Sequence, residues 1–372
     1  MFLNNMDELD LKNELIEYGK ALGFGIIKVT DVKPFDLWKN SIENIKSLDP
    51  STSDSWDKRG MVHDVKDILP SANSIIVAVF PYVPYEVKFP NGYGSYSAHY
   101  KYYPIGHESM KKLGEFLIQK GYRAIIDAPF SLKSAANRAG VGYFGKNGVI
   151  HTKAYGSFIT LHSILTDAKL PADGSMDGIS DCGQCSICVN SCPTGAIGPN
   201  GAIIQSRCVR YNMHSSDFIP VDIREKIGQR LLGCDICQMV CPRNKMYKDK
   251  YVLPPWDEVS PFNIKSLMAN WDRGLKGQLS DMGDIIGKNF ARAQRILSTA
   301  VIIAGNSKDE SYIPYLEHTL VHPHPPIRGH SAWAIGRIGG SRGLKILKEA
   351  LKCEKHPKVL EEIRDGIDNI VI

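Results

Sequence analysis

Eight of the nine cysteines fall between residues 182 and 241, and their spacing limits what this part of the chain can become. The first block reads Cys182-Gly-Gln-Cys185-Ser-Ile-Cys188-Val-Asn-Ser-Cys192-Pro193. This C-x2-C-x2-C-x3-C-P run is the one by which bacterial ferredoxins hold cubane iron–sulfur clusters. Cys208 follows alone, and Cys234-Asp-Ile-Cys237-Gln-Met-Val-Cys241-Pro242 completes the set. Three thiolates spaced by two residues wrap one cube, while the fourth, set off by an extra residue and a proline, turns toward the other. The expected ligand sets therefore cross over. Cys182, Cys185, Cys188 and Cys241 hold one 4Fe–4S cluster, and Cys192, Cys208, Cys234 and Cys237 hold the other. Zinc is the competing reading of C-x2-C pairs, but zinc sites rarely need eight thiolates in this asymmetric order. A disulfide framework needs an oxidising compartment. The first twenty residues carry Asp7, Glu8, Asp10, Glu14 and Glu17 and lack the apolar stretch of a secretory signal. The expectation is a cytoplasmic electron-transfer module.

At 372 residues the chain suits two or three domains. Its longest apolar runs, Ser74 to Phe80 and Ile159 to Leu165, are strand-sized, far short of a bilayer span, so no membrane partner is expected. A net charge of +5 permits an acidic partner such as RNA without demanding one.

Residues 1–172 alternate helical and strand patterns, which predicts an α/β domain with a central sheet. Apolar residues at Leu9, Leu11, Leu15, Ile16 and Leu22 mark an amphipathic helix that ends near Gly23. Strands are expected at Gly25 to Val29, Ser74 to Phe80 and Tyr122 to Ile126. A short helix is expected from Asp64 to Leu69, and another from about His107 to Lys120. The stretch Pro84 to Tyr103, rich in Gly, Pro, Ser and Tyr, reads as a long loop. A polar linker lies between Leu170 and Asp181, and residues 173–250 form the cluster module. Residues 251–372 contain a repeat: Gly305, Leu316 and Leu320 recur 31 residues on as Gly336, Leu347 and Leu351. Helix pairs at this interval predict a HEAT-like α-helical solenoid, a binding surface more often than a catalytic one.

Gly140-Val-Gly142-Tyr-Phe-Gly145-Lys146-Asn147 contains G-x-G-x-x-G, yet it follows a helix-like segment and no acidic residue stands at the right distance after it. A dinucleotide site is not expected. The glycines still permit close backbone approach to a ligand, so Gly140, Gly142, Gly145, Lys146 and Asn147 are candidate cofactor-binding residues. Asp127 ends a predicted strand, where ligands of open α/β sheets gather; it would donate a proton if burial raised its proton affinity. A turn or cap aspartate is the plainer reading. Tyr96, His99, Tyr100, Lys101, Tyr102 and Tyr103 form an aromatic–basic loop able to stack on a base, or simply a packed loop. His322 and His324 sit among prolines, as inter-helix loop residues do, and Cys353 reads as a small core residue.

The combination of Ala139 to Asn147, Tyr155-Gly-Ser157, Leu165-Thr-Asp167, Cys192-Pro-Thr-Gly-Ala-Ile197, Gly228-Gln-Arg230 and Gly233 to Asn244 resembles the epoxyqueuosine reductases. Ile327 to Ile338 also looks like that family's HEAT-like segment. The resemblance covers nearly the whole chain and is most specific from Gly140 to Asn244. It implies a cobalamin-binding catalytic domain over 1–172, a ferredoxin-like double-cluster module, and a helical repeat. It also implies a reaction related to reductive dehalogenation, in which an epoxide in the wobble nucleoside of tRNA becomes an alkene. The implied partners are a tRNA anticodon stem-loop and an external electron donor such as a flavodoxin or ferredoxin. Asp127 matches the family's aspartate after the strand, which favours its role as the acid. Two departures stand out. The family has one more residue between that aspartate and the glycine loop. It also has a Gly-Arg/Lys-Asp-Tyr-His type motif where this chain has Tyr102-Tyr-Pro-Ile-Gly-His107, with only Gly106 and His107 loosely equivalent. The alternatives are a cytoplasmic small-molecule reductase akin to the dehalogenases, and a corrinoid-reducing electron-transfer activator.

Overall fold

Ser74–Pro81 and Ile159–Thr166 are runs of branched apolar residues, and they become the two central strands of a four-stranded sheet. We label the strands β1 (Ile26–Thr30), β2 (Ser74–Pro81), β3 (Ala124–Ile126) and β4 (Ile159–Thr166); their order is β1-β2-β4-β3. Every neighbouring pair is antiparallel, with Ile26 opposite Val79, Ser74 opposite Thr166 and Ile126 opposite Ile164. The computed structural model describes residues 7–85, 89–176, 182–198, 201–247 and 250–370. Alternation along β2 sends Ile75, Val77 and Val79 to one face and Ile76 and Ala78 to the other, so each face nucleates its own core. Helices α1 (Glu8–Ala21) and α2 (Ala98–Gln119) cover the second face with Leu11, Leu15, Met110, Leu113 and Leu117. Helix α3 (Leu132–Arg138) covers the first with Ala135 and Ala136, beside Phe35, Val65 and Phe130. The layers are those expected of an α/β domain. The pairing is not parallel, so the rule placing ligands beyond the carboxyl ends of parallel strands does not apply here. Periodicity reports which face is buried and carries no information on strand direction.

Two expectations are corrected in this region. The segment before His107 is helical from Ala98, with Pro104 inside α2. The Ser97 hydroxyl accepts from the His99 N–H at 3.3 Å, starting the helix where composition suggested a loop. The Asp64 to Leu69 segment is only a 3-10 turn over Val65–Asp67, with Asp64 accepting from the Lys66 N–H. The polar stretch after Leu170 is also tied down: Asp173 takes Lys12, Lys28 and the Val29 N–H. Its remainder, 177–181, lies outside the described residues.

The chain divides into two units, one of residues 1–84, 101–206 and 236–250, the other of 85–100, 207–235 and 251–372. Both units draw on the cysteine-rich stretch, a different partition from the three consecutive domains read along the sequence. In the first unit, α4 (Ile187–Ser191) and α5 (Ile236–Met239) carry Cys188 and Cys237. In the second, α6 (Ala293–Ser307), α7 (Pro325–Ile338) and α8 (Pro357–Asp368) pack in succession. The repeat's glycines explain how closely they do so. A Cβ on Gly305 would lie 2.8 Å from the Ala334 Cα, and one on Gly336 would lie 2.5 Å from the Gly366 Cα. Cys353, expected in the core, is exposed at the last residue of its helix. His322 is buried against Trp271 and accepts from the His324 N–H in the loop before α7. No described helix is long and apolar enough to cross a membrane.

Candidate active site

Asp127 follows β3 in the left-handed region, φ 46°, a conformation rare for any residue but glycine. Its backbone N–H donates to the Ser163 carbonyl and its Oδ1 accepts from the Ser163 N–H, both at 2.9 Å. The aspartate is thereby fastened to β4 from both sides. Oδ2 lies 2.8 Å from the Nδ1 of His107 on α2 and 3.5 Å from the Nδ1 of His162 on β4. His162 is fully buried, and its Nε2 pairs with the Thr160 hydroxyl at 2.9 Å. Gly106 makes room for this ring, since a Cβ there would sit 2.4 Å from His162 Nε2. Tyr103 closes the group, its ring 5.0 Å from His162, and burial followed by the Asp127 charge pushes its hydroxyl up to about 12.

Burial works to raise the proton affinity of Asp127, as expected. Hydrogen bonding and charge from His162, the Ser163 N–H and His107 outweigh it, and the carboxyl is held below its ordinary value. This reverses the direction expected from sequence. His162 and Ser163, polar residues at the middle of a buried strand, are the signal in the sequence that points to this group. Among the described residues, His107, Asp127 and His162 are the one group of three His, Cys, Asp or Glu donors within 4.8 Å of one another.

No three cysteine sulfurs among the described residues meet that limit. The sulfurs nevertheless sense one another. Burial pushes the Cys188 thiol up, aided by Cys241, Cys182 and Cys185, and burial with Cys182 and Cys185 does the same to Cys241. Burial acts to raise Cys192 too, but hydrogen bonds from Thr194, Ala196 and Ile197 hold it below its ordinary value.

The glycine loop faces the cysteines. Lys146 Nζ donates to the carbonyls of Gly183 and Cys185 at 2.8 and 3.0 Å, and Asn147 Nδ2 donates to the Cys237 carbonyl at 3.3 Å. The close approaches at its glycines are to the chain itself: Gly140 to the Gly174 carbonyl, Gly142 to the His151 carbonyl, and Gly145 to the Asn147 and His151 side chains. Asn244 makes a parallel tie, accepting from the Ser157 N–H at 2.9 Å and donating to the Ser157 hydroxyl and the Gln238 carbonyl. The aromatic–basic stretch does not act as one surface. Tyr96 is buried on Phe262 and Tyr100 is buried between His214 and Phe290, so neither ring is available to stack on a base. Tyr102 stacks on Tyr82.

Residues 181–244 match the model of a 4Fe-4S double cluster binding domain, and 291–367 match HEAT repeats. With an antiparallel sheet domain carrying a buried carboxylate–imidazole group, these define an iron–sulfur oxidoreductase with a helical repeat. The chain is 32% identical to the epoxyqueuosine reductase of Bacillus subtilis, over 98% of this chain and 97% of that protein. It is 30% identical to that of Listeria monocytogenes, covering 96% and 97%. A solved Bacillus subtilis structure, with its catalytic aspartate loop swung out of the active site, superposes with a TM-score of 0.85 at 30% identity, covering 98% of this chain and all of that one. Another, solved with a tRNA-Tyr epoxyqueuosine-modified stem loop, gives 0.83 at 31% identity with the same coverage. The chain belongs to the epoxyqueuosine reductase family.

Proposed function

We propose that this chain reduces epoxyqueuosine to queuosine in tRNA, drawing electrons through two 4Fe–4S clusters and using cobalamin at the reacting carbon. What carries the reading is similarity to named reductases along almost the whole chain, joined to a double-cluster domain. The relative solved with a modified stem loop supports a tRNA anticodon stem-loop as substrate. The reaction consumes two electrons and two protons. Both C–O bonds of the epoxide break, an alkene forms, and the oxygen leaves as water.

In this reading residues 1–172 carry the cobalamin and the acid, 173–250 carry the clusters in the crossed ligand sets, and 251–372 form a platform for RNA. The protein works in the cytoplasm and takes electrons from a flavodoxin or ferredoxin. Bound cobalamin supplies two-electron reducing power at the epoxide. His107 and His162 both face Asp127. Engaged with the Asp127 carboxylate, both imidazoles are placed to serve proton transfer beside a bound cobalamin.

Asp127, held below its ordinary value, stays ionised near neutrality and pairs through Oδ2 with the His107 Nδ1 at 2.8 Å. The carboxylate orients the His107 ring, and His162 and Ser163 position the carboxylate. The acid is thus the His107–Asp127 pair rather than the aspartic acid alone. The test is anaerobic: reconstitute clusters and cobalamin, then supply a strong reductant and tRNA bearing epoxyqueuosine. Queuosine formation is expected. No product under conditions where the Bacillus subtilis enzyme turns over would refute the assignment. RNA binding that weakens steeply with salt would support docking through phosphates.

A further inference from the structure

Lys146 and Asn147 are adjacent in sequence, yet each reaches a different cysteine block. The Lys146 ammonium is half-buried and spans two carbonyls of a single turn, those of Gly183 and Cys185. That turn is closed by the Cys185 N–H donating to the Cys182 carbonyl at 2.8 Å. A cation at these carbonyls therefore sits on the loop that presents two of the four expected ligands of one cluster. Asn147 is buried and neutral, donating to the Cys237 carbonyl and paired through Oδ1 with His151 Nε2 at 3.2 Å. One residue of the pair brings a full charge to its cysteine block and the other brings none.

The potential of an iron–sulfur cluster follows the charge and hydrogen bonding around it, because reduction adds a negative charge to an already anionic cube. A fixed cation nearby favours the reduced form, and in a partly buried site solvent screens it only in part. We propose that Lys146 sets the reduction potential of the cluster held by Cys182, Cys185, Cys188 and Cys241, raising it above the value that cluster would have without the cation. This rests on the functional reading only for the presence of two clusters, not for the substrate or cobalamin. Lys146 donates to the carbonyls of the turn; it is a positioning residue whose charge acts beside the turn it holds.

The test is a potentiometric titration followed by EPR on the full chain with both clusters reconstituted, without cobalamin or tRNA, so failure of the assigned reaction leaves the measurement intact. Lys146→Met and Lys146→Gln should each lower the midpoint potential of one cluster and leave the other unchanged, while Lys146→Arg restores it. The shifted signal should be the one lost in Cys188→Ala. Gln keeps a donor without the charge, so a Gln variant with the unaltered potential would overturn the proposal, as would equal shifts in both clusters. If Met and Gln both fail to retain one cluster by iron content, Lys146 serves only to hold the turn and the proposal falls.

Discussion

His107 Nδ1 lies 2.8 Å from Asp127 Oδ2, while the other oxygen of the same carboxylate is held by the Ser163 N–H. A carboxylate satisfied in this way resists protonation and orients the imidazole beside it. Asp127→Asn keeps the shape and removes the charge. Turnover should fall by about 10²- to 10⁴-fold, the usual contribution of positioned acid–base groups, with RNA affinity unchanged. His107→Gln should lose a similar factor. Single-turnover queuosine formation across pH checks both. A full-rate Asp127→Asn enzyme would remove the residue from the mechanism.

Asn244 spends its whole amide on the turn at Ser157 and on the Gln238 carbonyl. Asn244→Ala leaves the buried Ser157 N–H without its acceptor, at a cost of about 1–3 kcal/mol. The second cysteine block should loosen with it, seen as fewer iron atoms retained per chain and a lower thermal midpoint.

Gly336 meets backbone, not a movable side chain, at Gly366. Gly336→Ala must therefore push α7 and α8 apart. Overpacking of this kind costs about 1–3 kcal/mol, despite the better helix propensity of alanine. Thermal denaturation should show the loss, and Gly277→Ala, on a helix with open space at that position, should show none.

His330 is fully buried, its Nε2 accepting from the Ile219 N–H at 3.0 Å. Burial, reinforced by Arg224, His324 and Lys358, holds it well below its ordinary 6.5. The unfolded chain takes up this proton and the folded one does not. The contribution is complete above pH 6.5 and declines below it, by about 1.4 kcal/mol per pH unit. His330→Gln should flatten this part of the dependence, measured as urea midpoints between pH 7.5 and 5.5.

The residue types of the site were legible in the sequence, but their environments were not. The cysteine spacing identified a double cluster because ligand intervals are set by covalent geometry, and the 31-residue interval similarly exposed the repeat. Tyr96 and Tyr100 looked available for stacking, yet both are core residues, since an aromatic run does not reveal which rings find partners distant in sequence. Asp127 was found, but the sign of its shift was not. That sign comes from Ser163 and His162, which only strand pairing brings to it. The close approaches of Gly140, Gly142 and Gly145 to Gly174, His151 and Asn147 come from the folded chain and could not be read from the motif.

The first unit is assembled from three separated stretches, the last of them 236–250. Cys241, whose thiol is electrostatically coupled to those of Cys182 and Cys185, is therefore synthesised only after residues 207–235 have been made for the other unit. With the crossed ligand sets proposed above, a nascent chain halted before that point has the glycine loop and the first cysteine block but lacks the fourth thiolate of that cube. On those ligand sets, a truncated product would be recognisable by its incomplete complement of iron.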